Sequence, residues 1–188
     1  MPVFAPPADT ERDALRGFLD NQQRAFRIVA HGLSDGQGRT RSTDSALTVG
    51  GLIKHATAVQ RSWMQRVVAA PSLPPADPRP FEEQVREYED ANVMRDDETL
   101  ADLLDAFASQ NAETLRLVTS ADLDAAVPVP RDAPWFPQDV DAWTVRWVFL
   151  HLIAELARHA GHADIIRESI DGATMQHLVA EVDGFDTD

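Results

Sequence analysis

Four stretches of this chain carry apolar residues at α-helical spacing, and prolines crowd two of the connections between them, so the sequence most directly permits a helical bundle. The first stretch starts at a cap, Asp9 or Thr10, and runs to about Ala30, with Leu15, Phe18, Leu19, Phe26 and Val29 on one face. The second spans about Thr48 to Ala69 and places Leu52, Ile53, Ala56, Val59, Trp63 and Val67 together. The third begins behind Asp96, Asp97 and Glu98, whose charge suits a helix N-terminus, and ends near Val118. The fourth is predicted from about Ala142, capped by Asp141, to Ser169, with Asp171-Gly172 as its stop.

Between the second and third stretches, Pro71, Pro74, Pro75, Pro78 and Pro80 predict a surface loop, followed by a short acidic helix over Phe81–Met94. Pro128, Pro130, Pro134 and Pro137 predict an extended crossing between the third and fourth, where Trp135 and Phe136 can cover a pocket. A short final helix, Thr174–Val182, is expected on the outside. The expectation is therefore an all-α four-helix bundle without strands, one domain over 1–188, with its core at about 10–172 and a C-terminal extension at 173–188. Connections this long permit a crossover as readily as an up-and-down order. The glycine pair Gly50-Gly51 carries no motif.

A formal charge of −14 argues against nucleic-acid or anionic-membrane partners, which need clustered cations. No apolar run reaches membrane-spanning length, and the N-terminus lacks a basic-then-apolar leader, which predicts a cytoplasmic protein. The chain contains no cysteine, so disulfides, thiolate nucleophiles and cysteine zinc sites are excluded. Any thiol chemistry needs a thiol from outside.

The chemistry concentrates in the fourth stretch. In HLIAELARHAGHADIIRESIDG, from His151 to Gly172, residues three and four apart share a face, so His151, Glu155, His159 and His162 form one polar row. Leu152, Ile153, Leu156, Ile165 and Ile166 flank it, which sets the row beside a buried face. Glu155 and His159 can hold one cation together, and His55 of the second helix can complete a set of two imidazoles and one carboxylate with open positions. Such a set suits zinc, nickel or ferrous iron. His159 with His162 is an alternative chelate by spacing. The mid-helix position of Glu155 and His159, where a partner helix can face them, favours the former, and leaves His151 and His162 to orient ligands or move a proton. The rival structural reading pairs Glu155 with Arg158 or Arg167. His31 reads as a cation at a helix C-terminus, and His177 as a surface residue.

The segments LTVGGLIKHATAVQRSWMQRVV (Leu47–Val68) and TVRWVFLHLIAELARHAGHADIIRESIDG (Thr144–Gly172) resemble the DinB/YfiT-like superfamily, in particular its mycothiol-dependent S-transferase and maleylpyruvate isomerase branch. The likeness extends from ERDALRGFLDNQQ at Glu11–Gln23 to Gly172. It implies a metal held by His55, Glu155 and His159, an often dimeric assembly, and an enzyme that ionises mycothiol at the metal and delivers the thiolate to a small electrophile. Where relatives have arginine-glycine-glutamine after the last ligand, this chain has Ala160-Gly161-His162. On that reading Trp63, Trp147 and Phe136 are candidates to wall the electrophile's pocket, and Arg61, Arg146 and Arg158 to bind anionic groups. A hydrolase using metal-bound water and a non-enzymatic metal-binding stress protein are the alternatives.

Overall fold

The computed structural model describes residues 4–131 and 136–184. Each long amphipathic stretch is a helix: α1 (Glu11–Val29), α3 (Val49–Ala69), α5 (Leu100–Ser120) and α6 (Val145–Asp171), with short α2 (Asp35–Gly38), α4 (Phe81–Asp90) and α7 (Met175–Asp183) in the connections. Threonine hydroxyls cap all four long helices, through Thr10, Thr48, Thr99 and Thr144, each accepting a first-turn backbone N–H. α6 ends at Gly172, whose φ of +78° is the left-handed conformation that glycine adopts without strain.

Two expectations change. Asp141 does not cap α6; residues Ala142–Thr144 form a strand, β2, antiparallel to β1 (Ala126–Pro128), and the helix starts only after Thr144. The crossing from α5 to α6 therefore contains a two-stranded ribbon where no strand was expected, and it buries Val127 against the bundle. The segment between α1 and α3 also holds α2, a single turn closed by reciprocal hydrogen bonds between Ser34 and Gln37. Trp135 lies outside the described residues.

Tertiary contacts set the helix order. α1 packs on α5 and α6, and α3 packs on the same two, so α1 lies diagonally across from α3 and α5 from α6. Arg12 near the start of α1 donates to Val118 and Ala121 carbonyls at the end of α5, so α1 and α5 are antiparallel. Arg167 near the end of α6 donates to the Val29 and His31 carbonyls at the end of α1, making those two parallel. Lys54 and Gln60 of α3 meet Glu98 and Asn111 in ascending order, so α3 and α5 are parallel as well. The result is an up-down-down-up bundle, and α4 with its proline-rich lead-in supplies the return between the two parallel helices. Phe26, Phe107, Phe149, Leu19, Ile53 and Leu152 fill its centre.

Gly50 and Gly51 do matter, because the loop after α4 lies directly on the first turn of α3. A β-carbon on Gly51 would overlap the backbone oxygen of Asn92, and one on Gly50 would overlap Met94 Sδ. Gly51→Ala is expected to cost about 1–3 kcal/mol by displacing a backbone segment. Urea unfolding checks this, and an unchanged midpoint contradicts it.

Asp164 of α6 lies in a groove lined also by Ala25 of α1 and Val179 of α7. Burial, with the charge of Glu168, raises its carboxyl above the ordinary value. A raised folded-state pKa gives stability that is complete below the unfolded value, about 3.9, and lost as pH rises through the folded one. Asp164→Asn should therefore raise the melting temperature at pH 7 and converge on wild type in acid. Equal melting temperatures at pH 7 would refute the assignment.

Candidate metal centre

Because α3 runs against α6 in the opposite sense, His55 faces the middle of α6. Glu155 and His159, one turn apart on α6, meet it there. His159 Nε2 lies 3.1 Å from Glu155 Oε1 and His55 Nε2 3.5 Å from the same oxygen. The two imidazoles meet edge to face at 4.7 Å. One ligand atom from each of the three residues falls within 4.8 Å of the others, so the group can hold a metal ion.

The donor set passes a test of fit. Metal–ligand bonds of about 2.0–2.1 Å place neighbouring ligand atoms roughly 3.0–3.4 Å apart; the 3.1 Å spacing of His159 to Glu155 falls in that range and the 3.5 Å spacing of His55 lies just beyond it. His55 Nε2 is buried and has no hydrogen-bond partner. A buried polar nitrogen without a partner is costly, and an ion pair between Glu155 and His159 alone would leave that cost unexplained. A cation shared by all three removes it. The side chains are 14%, 19% and 17% exposed for His55, Glu155 and His159, which leaves an opening for a further ligand.

Electrostatics prepare the group. Burial opposes the Glu155 carboxylate, but the facing His159, with His55 and His151, outweighs it and holds the carboxyl below its ordinary value. Burial pushes the His159 imidazole down, with Glu155 pulling the other way. At neutral pH the pair thus offers a carboxylate and a free imidazole lone pair.

The remaining polar residues of the row divide. His162 is exposed, and its Nδ1 lies 3.4 Å from His159 Nδ1, the nitrogen that does not face Glu155. His151 is half-buried, pushed down by burial, and stacked on Trp147. Ile165, expected beside the buried face, is 61% exposed because α6 presents that side to solvent. The rival pairing of Glu155 with Arg167 does not occur: Arg167 is buried and bound to Asp171.

A cavity of about 460 Å³ opens onto His55 and Glu155 and is walled by Trp63, Trp147, Trp143 and Phe136. Arg146 is instead tied to Glu11 and Asp124 at the other side of the α6 N-terminus. Arg61 is exposed and lines a separate cavity between α3 and the proline-rich segment, and Arg158 is exposed on α6. Sequence reasoning missed Trp143, Arg66 and Tyr88. Trp143 was findable: positions 143, 147, 151, 155 and 159 recur every four residues. Arg66 was findable too, since it follows His55, Val59 and Trp63 at helical spacing on α3; Tyr88 had no such signal, because α4 reaches the cavity only through its fold-back.

Such a bundle, with a histidine–carboxylate–histidine group between two antiparallel helices, is one whose core can carry a divalent cation. The sequence model of the family described as mycothiol-S-transferase matches residues 14–172. The chain belongs to that family, which is DinB/YfiT-like. A conserved protein from Enterococcus faecalis of known crystal structure superposes with a TM-score of 0.57 over 88% of this chain and 100% of its own, at 17% identity, a likeness of fold alone. No curated protein matches the chain.

Proposed function

We propose that this protein is a metal-dependent S-transferase in which His55, Glu155 and His159 hold a divalent ion and the thiol is mycothiol. The observation that carries the reading is the buried nitrogen of His55, which makes no hydrogen bond and faces Glu155 at 3.5 Å beside a cavity, in a chain of the mycothiol-S-transferase family. The overall reaction is R–SH + R′–X → R–S–R′ + H⁺ + X⁻, in which the sulfur–carbon bond forms with the sulfur electron pair and the leaving group departs with its own. A divalent ion at this group supplies the positive charge that lets a thiol lose its proton near neutral pH.

The chain's own residues do the rest. Glu155 contributes the one negative charge of the set, so a bound divalent cation retains net positive charge for the incoming sulfur. His162, through its contact with His159 Nδ1, orients the ring that turns its other nitrogen to Glu155. His151, kept neutral by burial on the cavity wall one turn before Glu155, can accept the released proton. The apolar rings around the opening exclude water from the nucleophile. No helix among the described residues is long and apolar enough to cross a membrane.

The test compares mycothiol conjugation of an alkylating fluorophore by zinc-loaded wild type and Glu155→Gln, with and without thiol. The reading requires thiol-dependent turnover that falls by about a hundredfold or more in the variant. Equal rates in both proteins, or ester hydrolysis that needs no thiol, would overturn it.

A further inference from the structure

The cavity above the metal group has two lobes, and they differ in chemistry. Along α6 and the strand before it, Trp143, Trp147 and His151 stack in a parallel column, with centroids 4.7 and 5.1 Å apart and planes within 8° and 4°. Trp63 of α3 faces the column obliquely, 5.4, 5.8 and 5.0 Å from the three rings. Four residues further along α6 from His151 stands Glu155. The column thus leads straight to the candidate ligands. A second lobe, of about 290 Å³, lies under α4 and shares His55, Ser62, Trp63 and Tyr88 with the first, but its outer wall is Asp77, Arg79, Gln84 and Glu87. Arg79 is fixed there between Asp77 and Glu87, which lowers the Asp77 carboxyl to about 2. To the wall they share, the first lobe adds chiefly stacked ring faces, and the second adds the charged and amide side chains of α4 and its lead-in. Both meet at His55.

We propose that the aromatic lobe is the electrophile's subsite and selects planar, electron-poor electrophiles, while the hydroxyl-rich part of the thiol lies in the second lobe, against Asp77, Arg79, Gln84 and Glu87. This rests on the thiol-transfer reading. The electron-rich faces of indole rings favour flat, electron-poor groups over saturated ones of equal size, and an electrophilic arene or conjugated carbonyl is such a group. A sugar-like thiol, in contrast, leaves its hydroxyls unpaired unless it meets side chains that hydrogen-bond them, and the second lobe adds Asp77, Arg79, Gln84 and Glu87 to the His55, Ser62 and Tyr88 that both lobes share. Placing one reactant in each lobe brings sulfur and the electrophilic carbon together at the ion, where proximity does much of the catalytic work. The 460 Å³ of the aromatic lobe is enough for a bicyclic or substituted monocyclic ring.

The test uses 3,5-dinitrobenzamide, which is planar and electron-poor and carries no leaving group, against cyclohexanecarboxamide. Binding to the full chain is read by calorimetry and by quenching of tryptophan fluorescence. The dinitro probe is expected to bind about tenfold or more tightly than the saturated one. Trp147→Leu, at a ring already 38% exposed and so tolerant of exchange, should weaken it about fivefold to tenfold, and Trp147→Phe should recover most of the loss. Zinc affinity and melting temperature serve as folding controls, and mycothiol affinity should hold in both variants. Equal binding of the two probes, or no loss in Trp147→Leu, overturns the proposal. So does a loss of mycothiol affinity with the dinitro probe unaffected, which would give the aromatic lobe to the thiol. Because probe binding needs neither metal nor thiol, normal probe selectivity without any thiol transfer would instead count against the transferase reading alone.

Discussion

His55→Ala is expected to lower zinc or nickel affinity more than about a hundredfold while leaving the bundle folded. Even partners of metal ligands cost 10–100-fold when removed, and His55 is the one donor of the set supplied by α3. Glu155 and His159 remain one turn apart on α6, so residual weak binding is expected, but nothing from the facing helix closes the set. Folding should survive because the variant deletes a nitrogen that makes no hydrogen bond. A ligand that binds only the native state stabilises it by about 2.7 kcal/mol at a hundred times its dissociation constant, so added metal should raise the wild-type melting temperature by several degrees and leave the variant's almost unmoved. Parallel metal-induced shifts in both proteins would show that His55 is no ligand.

The largest expected loss of stability falls elsewhere, at Gln60. Its side chain is fully buried where α1, α3 and α5 meet: Gln23 Nε2 donates to Gln60 Oε1 at 2.8 Å, and Gln60 Nε2 donates to Asn111 Oδ1 at 2.9 Å. Gln60→Ala leaves the amide of Gln23 and the carbonyl of Asn111 without their partner in the core and opens a cavity besides. Each stranded polar group costs about 1–3 kcal/mol, and the cavity adds to it, so a total near 3–5 kcal/mol is expected. Against the usual 5–15 kcal/mol for a domain this is severe, a fall of about 10 °C or more in melting temperature. Metal stoichiometry at low temperature should stay at wild type, since Gln60 touches none of the candidate ligands. A shift under about 2 °C would mean that water replaces the amide without loss.

Why some of this was readable in the sequence follows from length and period. The four long helices repeat their apolar spacing often enough to be seen, and Thr48 and Gly172 mark two of their ends chemically. Three-residue strands cannot show alternation, and Pro128 within one of them speaks against a strand, so β1 and β2 were invisible and Asp141 took the capping place that belongs to Thr144. The helix order depended on long-range pairs such as Arg167 with the end of α1, which no local pattern encodes. At the site, the four-residue spacing of Glu155 and His159 was legible, and so was the need for a facing histidine. The second lobe was not, because Arg79 and Tyr88 reach His55 only after α4 folds back over α3. Gly50-Gly51 looked uninformative for a similar reason: what it accommodates is a loop some forty residues later.

X-ray absorption at the metal edge, on protein loaded with one equivalent of zinc or nickel and then mixed with mycothiol, tests the central claim most directly. Two imidazoles and a carboxylate should account for the protein's share of the first shell, and the thiol should add one sulfur, at about 2.3 Å for zinc. A shell that lacks imidazole, or one that gains no sulfur when the thiol is saturating, would contradict the account.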